Sequence, residues 1–201
     1  MRYYEWAANS EENCIVRDFQ VRGWDDEFKL IWRLEEGCPL SENEWDLDAV
    51  AYWAEDAPLT DLPFTVPDLV LCSPRLKDLL EGLGLGSDIQ FLPIRVIGEK
   101  SGREVGIYYV ANFLRRIPCL NLEHSIYGRY GDHPEDFQAF PEKIGQIRHV
   151  WKAVLRREAI GDARLFRVDE WEYIVVIRED VKRAMEETGI TGCWFQELEV
   201  V

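Results

Sequence analysis

The chain has 201 residues, 47% of them hydrophobic and 12% aromatic, enough for one well-buried core, or for one core plus a small appended lobe, and far from the disordered range. Its net charge of −15 repels a phosphate backbone, so direct nucleic-acid binding is not expected, whereas a basic protein is attracted. The five cysteines, Cys14, Cys38, Cys72, Cys119 and Cys193, are dispersed and form no C-x-x-C pair, which predicts free thiols in a reducing compartment.

Residues 1–36 mix aromatic and charged side chains, among them Tyr3, Tyr4, Trp6, Phe19 and Trp24. The stretch Met1 to Trp6 has no apolar run of signal-peptide length. The longest uncharged mid-chain stretch, Val105 to Leu114, is half the roughly 20 residues of a membrane span. A cytoplasmic protein with no membrane segment is expected. Phe28, Leu30, Trp32 and Leu34 recur at every second position, the period of a half-buried strand, and Gly37 and Pro39 close that run. Ser41 and Glu44 have the spacing of a helix capping box, which predicts a short acidic helix over 42–55 with Leu47, Val50 and Trp53 on one face.

Pro58, Pro63 and Pro67 mark a linker-like connection, followed by a short apolar strand from Asp68 to Cys72. Ser73 then stands as an N-cap before Pro74, opening a helix whose buried face is Leu76, Leu79, Leu80 and Leu83 and which ends at Gly82 or Gly84. Gln90–Ile97 and Val105–Phe113 read as two strands joined through the turn-rich Gly98 to Gly102, with a third from Ile117 to Leu122. Residues 124–145, with Gly128, Gly131, Pro134 and Pro141, read as a long irregular loop of the kind that often carries function.

Ile147, His149, Trp151, Ala153 and Leu155 alternate with Arg148, Lys152 and Arg156, predicting a strand with one basic edge. Arg164–Val168 and Trp171–Ile177 form an expected hairpin, Glu179–Thr188 an amphipathic helix stopped by Gly189, and Cys193–Val201 a closing strand. Strands outnumber helices and most connections are short. The expected class is α+β, mainly antiparallel sheet with a few short helices.

Chemical signatures are scarce. Leu83 to Ser87 holds two glycines but follows a helix and lacks the lysine of a phosphate loop, so it reads as helix termination. His124, His133 and His149 lack metal-ligand spacing and read as solvated. Cys119 or Ser125 beside His124 or His149 carries no nucleophile signature. No catalytic residue, metal site or cofactor is therefore expected.

The order of Cys119-Leu120-Asn121-Leu122-Glu123-His124-Ser125, Leu165-Phe166-Arg167, Tyr173-Ile174-Val175-Val176 and Ile190-Thr191-Gly192-Cys193-Trp194-Phe195, with the helix of Val181, Ala184 and Met185 before the last, resembles the immunity-protein family called Imm-eleven. The resemblance runs over roughly residues 65–200. It implies a protein encoded beside a bacterial polymorphic or type VI toxin, which it neutralises by binding. It supplies no catalytic residues, and its recurrent positions Ser125, Phe166, Arg167, Gly192 and Phe195 read as structural. Residues 65–201 are accordingly taken as the immunity-family α+β domain and 1–64 as an acidic, aromatic-rich N-terminal lobe.

Acidity is concentrated in that first part: residues 1–61 hold 16 Asp and Glu against 5 Lys and Arg. The expected function is occlusion of a cognate toxin with a basic surface, without nucleic-acid or membrane contact. The main contact is placed at Glu42, Glu44, Trp45, Asp46, Asp48, Tyr52, Trp53, Glu55, Asp56 and Asp61, where one-signed charge speeds encounter and aromatics anchor. The bland reading of the same stretch is an ordinary helix with Trp53 on the core. Two other functions stand beside immunity: a small cytoplasmic hydrolase using His149 or Cys119, and an adaptor or chaperone that loads a secreted effector.

Overall fold

The computed structural model describes residues 1–12, 14–21, 27–66 and 69–201. In chain order the first half holds β1 (Tyr3–Ala8), β2 (Ile15–Gln20), α1 (Glu27–Glu35), β3 (Val50–Trp53), β4 (Phe64–Thr65), β5 (Leu71–Cys72) and α2 (Pro74–Gly82). The long strands β6 (Ile89–Gly98) and β7 (Glu104–Phe113) follow, then β8 (Arg116–Ile117), β9 (Ile126–Arg129) and α3 (Asp136–Ala139). The rest is β10 (Ile147–Lys152), β11 (Val154–Leu155), α4 (Arg157–Ile160), β12 (Leu165–Val168), β13 (Val175–Arg178), α5 (Glu179–Glu187) and β14 (Cys193–Val200).

These strands form two six-stranded sheets, ordered β11-β14-β1-β13-β12-β8 and β4-β2-β3-β6-β7-β5, and a ribbon of β9 and β10. Antiparallel pairs predominate, so the α+β class holds. All four outer strands of the two sheets are two residues long, which leaves little unpaired edge for another chain to join. The boundary expected between residues 64 and 65 falls inside β4. The first 64 residues give β1 to one sheet and β2 and β3 to the other, and β1 is paired on both sides by β13 and β14.

Alternation along β1 explains why it sits centrally. Tyr4 and Trp6 face a core shared with Leu76 and Leu80 of α2, Val181 and Met185 of α5, and Phe113 of β7. Tyr3 faces the opposite core, with Phe166, Val168 and Val176. A third core lies between the second sheet and α1. Where the sequence carries a complete local signal, the expected element is present. The Ser73 hydroxyl accepts the Leu76 N–H at 3.1 Å, Pro74 opens α2, and Leu76 and Leu80 are buried. The hairpin β6–β7, the pair β12–β13, the helix α5 and the closing strand β14 also lie where expected.

Gly192 shows one close approach. Its φ of +82° is a left-handed conformation, and a Cβ there would stand 2.4 Å from the Leu62 carbonyl oxygen. This lets the chain enter β14 against residues 60–62, where the Leu62 N–H bonds to the Thr191 carbonyl at 3.1 Å.

Six expectations change. Residues 28–34 are not a strand but part of α1. Leu30 and Leu34 are buried, Ile31 packs on the same core, and Trp32 points outward. Positions four apart share a face in both helix and strand, so Leu30 and Leu34 do not discriminate; Ile31 between them does. Trp24 and the Phe28 side chain lie outside the described residues.

Residues 42–55 form no helix either. Ser41 makes half of a capping box, donating its N–H (2.9 Å) and hydroxyl (2.8 Å) to the Glu44 carboxylate. The Asp48 N–H then bonds to the Asp46 side chain at 3.0 Å, an Asx turn that competes with helix, and the chain becomes β3 at Val50. The strand expected from Asp68 is found over Leu71–Cys72, with Pro67 and Asp68 outside the described residues. The stretch 117–122 keeps only Arg116–Ile117 and a bridge at Leu120.

In β10, which carries two register shifts, Val150 is buried and His149 and Trp151 face outward against expectation, while Ile147, Ala153 and Leu155 keep the expected inward side and Arg148 and Lys152 stay exposed. The loop of 124–145 holds β9, α3 and a 3-10 turn at Pro141–Lys143.

Candidate partner-binding surface

The ten residues expected to meet a partner fall in three places. Trp45 is only 5% exposed, lies in the core beside Leu92 and Ile94, and donates its indole N–H to the Pro93 carbonyl at 2.8 Å. Its neighbours Glu42 and Asp48 are exposed, and Asp46 is half-buried. Glu44 pairs with Arg33 of α1 at 2.6 Å; the Ser41 N–H first and Arg33 second hold its carboxyl down at about 2. Tyr52 and Trp53 lie half-buried on β3.

The last three acids fasten the fold. Glu55 adopts a φ of 60° and accepts the N–H groups of Lys100 and Ser101 at 2.7 and 2.8 Å, closing the β6–β7 turn. Asp56 pairs with Arg17 at 3.1 Å and with Lys100. Asp61 accepts the Ser73 hydroxyl at 2.6 Å and the Thr191 N–H at 3.0 Å, tying the cap of α2 to the entry of β14.

A larger feature lies beside this acidic stretch. A cleft of about 710 Å³ is bounded by the end of α1 (Trp32, Glu35, Glu36), the β9–β10 region (Tyr130, Lys143, Arg148) and the 169–173 turn (Glu170, Glu172, Tyr173). Trp32 and Tyr173 are both 54% exposed. Trp151 of β10, 65% exposed, begins a row of rings that runs through His149 and Trp171 to Tyr173, with centroids 5.0, 5.7 and 5.4 Å apart. Ile126 and Phe137 are also exposed in the same region of the chain.

The charges of the cleft are unequally satisfied. Arg116 pairs with Asp169 at 2.8 Å and Arg148 with the buried Asp136 at 2.7 Å. Arg129 donates to the Gly145 carbonyl, and the Lys143 ammonium lies over the rings of Trp32, Tyr130 and Phe140. Glu36, Glu142 and Glu172 form no ion pair among the described residues. The cleft therefore presents three carboxylates outside any ion pair among the described residues, together with the cations Arg129 and Lys143, which form none there either, beside exposed aromatic surface.

The groups weighed for catalysis are placed otherwise. Cys119 is fully buried, and burial above all, reinforced by Glu170, pushes its thiol up to about 12, so it is protonated at neutral pH. The Ser125 hydroxyl is clamped on Val154, donating to its carbonyl at 3.2 Å and accepting its N–H at 3.0 Å. His124, His133 and His149 are exposed. Among the described residues no three of His, Cys, Asp and Glu could hold a metal together, and no helix is long and apolar enough to cross a membrane.

Sequence reasoning missed the cleft because it joins residues near positions 32, 148 and 173. The available signals were the segment 124–145 and the alternation Glu170-Trp171-Glu172-Tyr173, whose acids and rings read as hairpin filler. Compared with known families, residues 2–200 match the model of the immunity protein family Imm11. No curated protein matches the chain.

Proposed function

Since the chain belongs to the Imm11 immunity protein family over nearly its whole length, we propose that it binds a cognate toxin and neutralises it by covering the toxin's working surface at the cleft. The observation that carries this reading is the pairing of unpaired carboxylates Glu36, Glu142 and Glu172 with exposed Trp32 and Tyr173. Carboxylates of one sign steer a basic partner in, and large aromatics supply anchoring energy once desolvated. The exposed Glu42 and Asp48 extend the same field, since their turn is joined to α1 through Glu44 and Arg33. A toxin that grips an anionic substrate carries a basic groove of the kind this surface fits. In this reading the protein acts in the cytoplasm against a polymorphic or type VI-delivered toxin and has no catalysis of its own.

The test uses the toxin encoded by the neighbouring gene. Reversing Glu36, Glu142 and Glu172 to Lys slows association and flattens its salt dependence, while Trp32→Ala with Tyr173→Ala speeds dissociation. Melting temperatures stay near wild type. Wild-type kinetics in both variants would place the contact elsewhere.

A further inference from the structure

Lys143 ends the 3-10 turn Pro141–Lys143, and its ammonium makes no hydrogen bond or ion pair among the described residues, although Glu142 adjoins it. It stands instead among three rings, 5.9 Å from the centre of Trp32, 5.6 Å from Tyr130 and 6.0 Å from Phe140. Rings that converge on one point attract a cation through their negative faces, the means by which aromatic cages hold ammonium groups.

The walls of this cage are fixed without Lys143. Tyr130 and Phe140 meet edge to face with centroids 5.4 Å apart. The buried Asp136 ties their backbone together: its carboxylate accepts the Gly131 N–H at 3.0 Å, and its carbonyl accepts the Phe140 N–H at 2.9 Å. Arg148, paired with Asp136 at 2.7 Å, lies 5.6 Å from the Tyr130 ring. The third wall, Trp32, is set by α1, whose Leu30 and Leu34 are buried. Lys143 itself sits on a flexible four-carbon stem, so it leaves the cage by side-chain rotation alone. Trp32 is 54% and Phe140 39% exposed, which keeps the cage reachable from the cleft.

The surrounding charge selects the occupant. Glu35 and Glu36, three and four positions after Trp32, fall on its side of the helix, and the Glu36 N–H bonds to the Trp32 carbonyl at 2.9 Å. Around the whole cleft the carboxylates outnumber the cations, with Arg116, Arg129, Lys143 and Arg148 all counted. A guanidinium is more weakly hydrated than an ammonium and stacks flat on aromatic faces, so arginine is the better occupant.

We propose that Lys143 is a tethered stand-in, and that the cage of Trp32, Tyr130 and Phe140 receives an arginine side chain of the toxin in its place. The source of the arginine rests on the docking of a toxin at the cleft; the cage and its preference do not.

The first arm of the test uses the isolated full chain. Its probe is N-acetyl-arginine amide, whose one charge is the guanidinium, with neutral N-acetyl-citrulline amide as control. The Trp32 indole N–H resonance, identified by its loss in Trp32→Ala, is followed by NMR. The arginine amide shifts it saturably, and binds Lys143→Ala at least roughly threefold more tightly than wild type; the citrulline amide gives no shift. No saturable shift, an equal response to the citrulline amide, or no gain in Lys143→Ala would each overturn the cage. The second arm uses the toxin. Lys143→Ala binds it at least roughly threefold more tightly, and one toxin arginine, replaced by Gln, weakens binding to wild type far more than to Trp32→Ala. Unchanged or weaker toxin binding by Lys143→Ala, or no toxin arginine coupled to Trp32, would overturn the exchange. Because the first arm contains no toxin, it can fail while docking at the cleft stands, and the reverse.

Discussion

Trp45 shows how one residue changes meaning between sequence and structure. Next to Glu44 and Asp46 it reads as an exposed anchor, yet its ring fills the core of the second sheet and its N–H reaches the Pro93 carbonyl. A local window of acids signals solvent, but it cannot show that β6 passes behind this turn. Trp45→Ala is expected to lower stability by about 3 kcal/mol or more, from the lost contacts, the cavity and the orphaned carbonyl. Urea unfolding checks it, and an unchanged midpoint would return Trp45 to the surface. Asp61 carries the same lesson: an acid at the end of an acidic run is the knot between α2 and β14. Arg167 inverts it, since a charged residue in an apolar strand reads as scaffold while its buried guanidinium shares a cavity with Glu35 and Glu172.

At the scale of elements, legibility followed the locality of the signal. The helix α2 announced itself through Ser73, Pro74 and a leucine face, and β6–β7 through two apolar runs about a glycine-bearing turn. The helix α1 was misread because its buried pair satisfies two periods at once, and β10 because register shifts slip its alternation. Pairing between β1 and β14, from Tyr3 opposite Leu198 to Ala8 opposite Cys193, joins the two ends of the sequence and leaves no local trace. The start of α5 gives a prediction at this scale. Arg178, at 2.5 Å, and then Arg164 hold the Asp180 carboxyl down from 3.8 to about 2. A carboxylate depressed in the folded state stabilises above its unfolded pKa, and that contribution is lost as pH falls through the folded value. Asp180 is partly solvated, so the effect is modest. Asp180→Asn should therefore lower the urea midpoint at neutral pH, with the difference from wild type closing through the window from 3.8 to about 2. A constant gap across that window would contradict the linkage.

Across the whole molecule, the acidity that bounded the function from composition is partly consumed internally. Glu55, Asp56 and Asp61 hold turns together, whereas Glu36, Glu142 and Glu172 remain unpaired beside the exposed rings of Trp32 and Tyr173. Net charge was legible in the sequence; its distribution between fastening and steering required the fold. The immunity family was legible too, through short motifs over the second two-thirds of the chain, and the family match extends it to residues 2–200. The central claim is that the toxin covers the cleft, and hydrogen exchange on the chain alone and in complex with its toxin tests it most directly. The account predicts slowed exchange in the complex at residues 32–36, along β9 and β10, and at 169–173. Unchanged exchange in those three segments, with protection confined to another face, would contradict it.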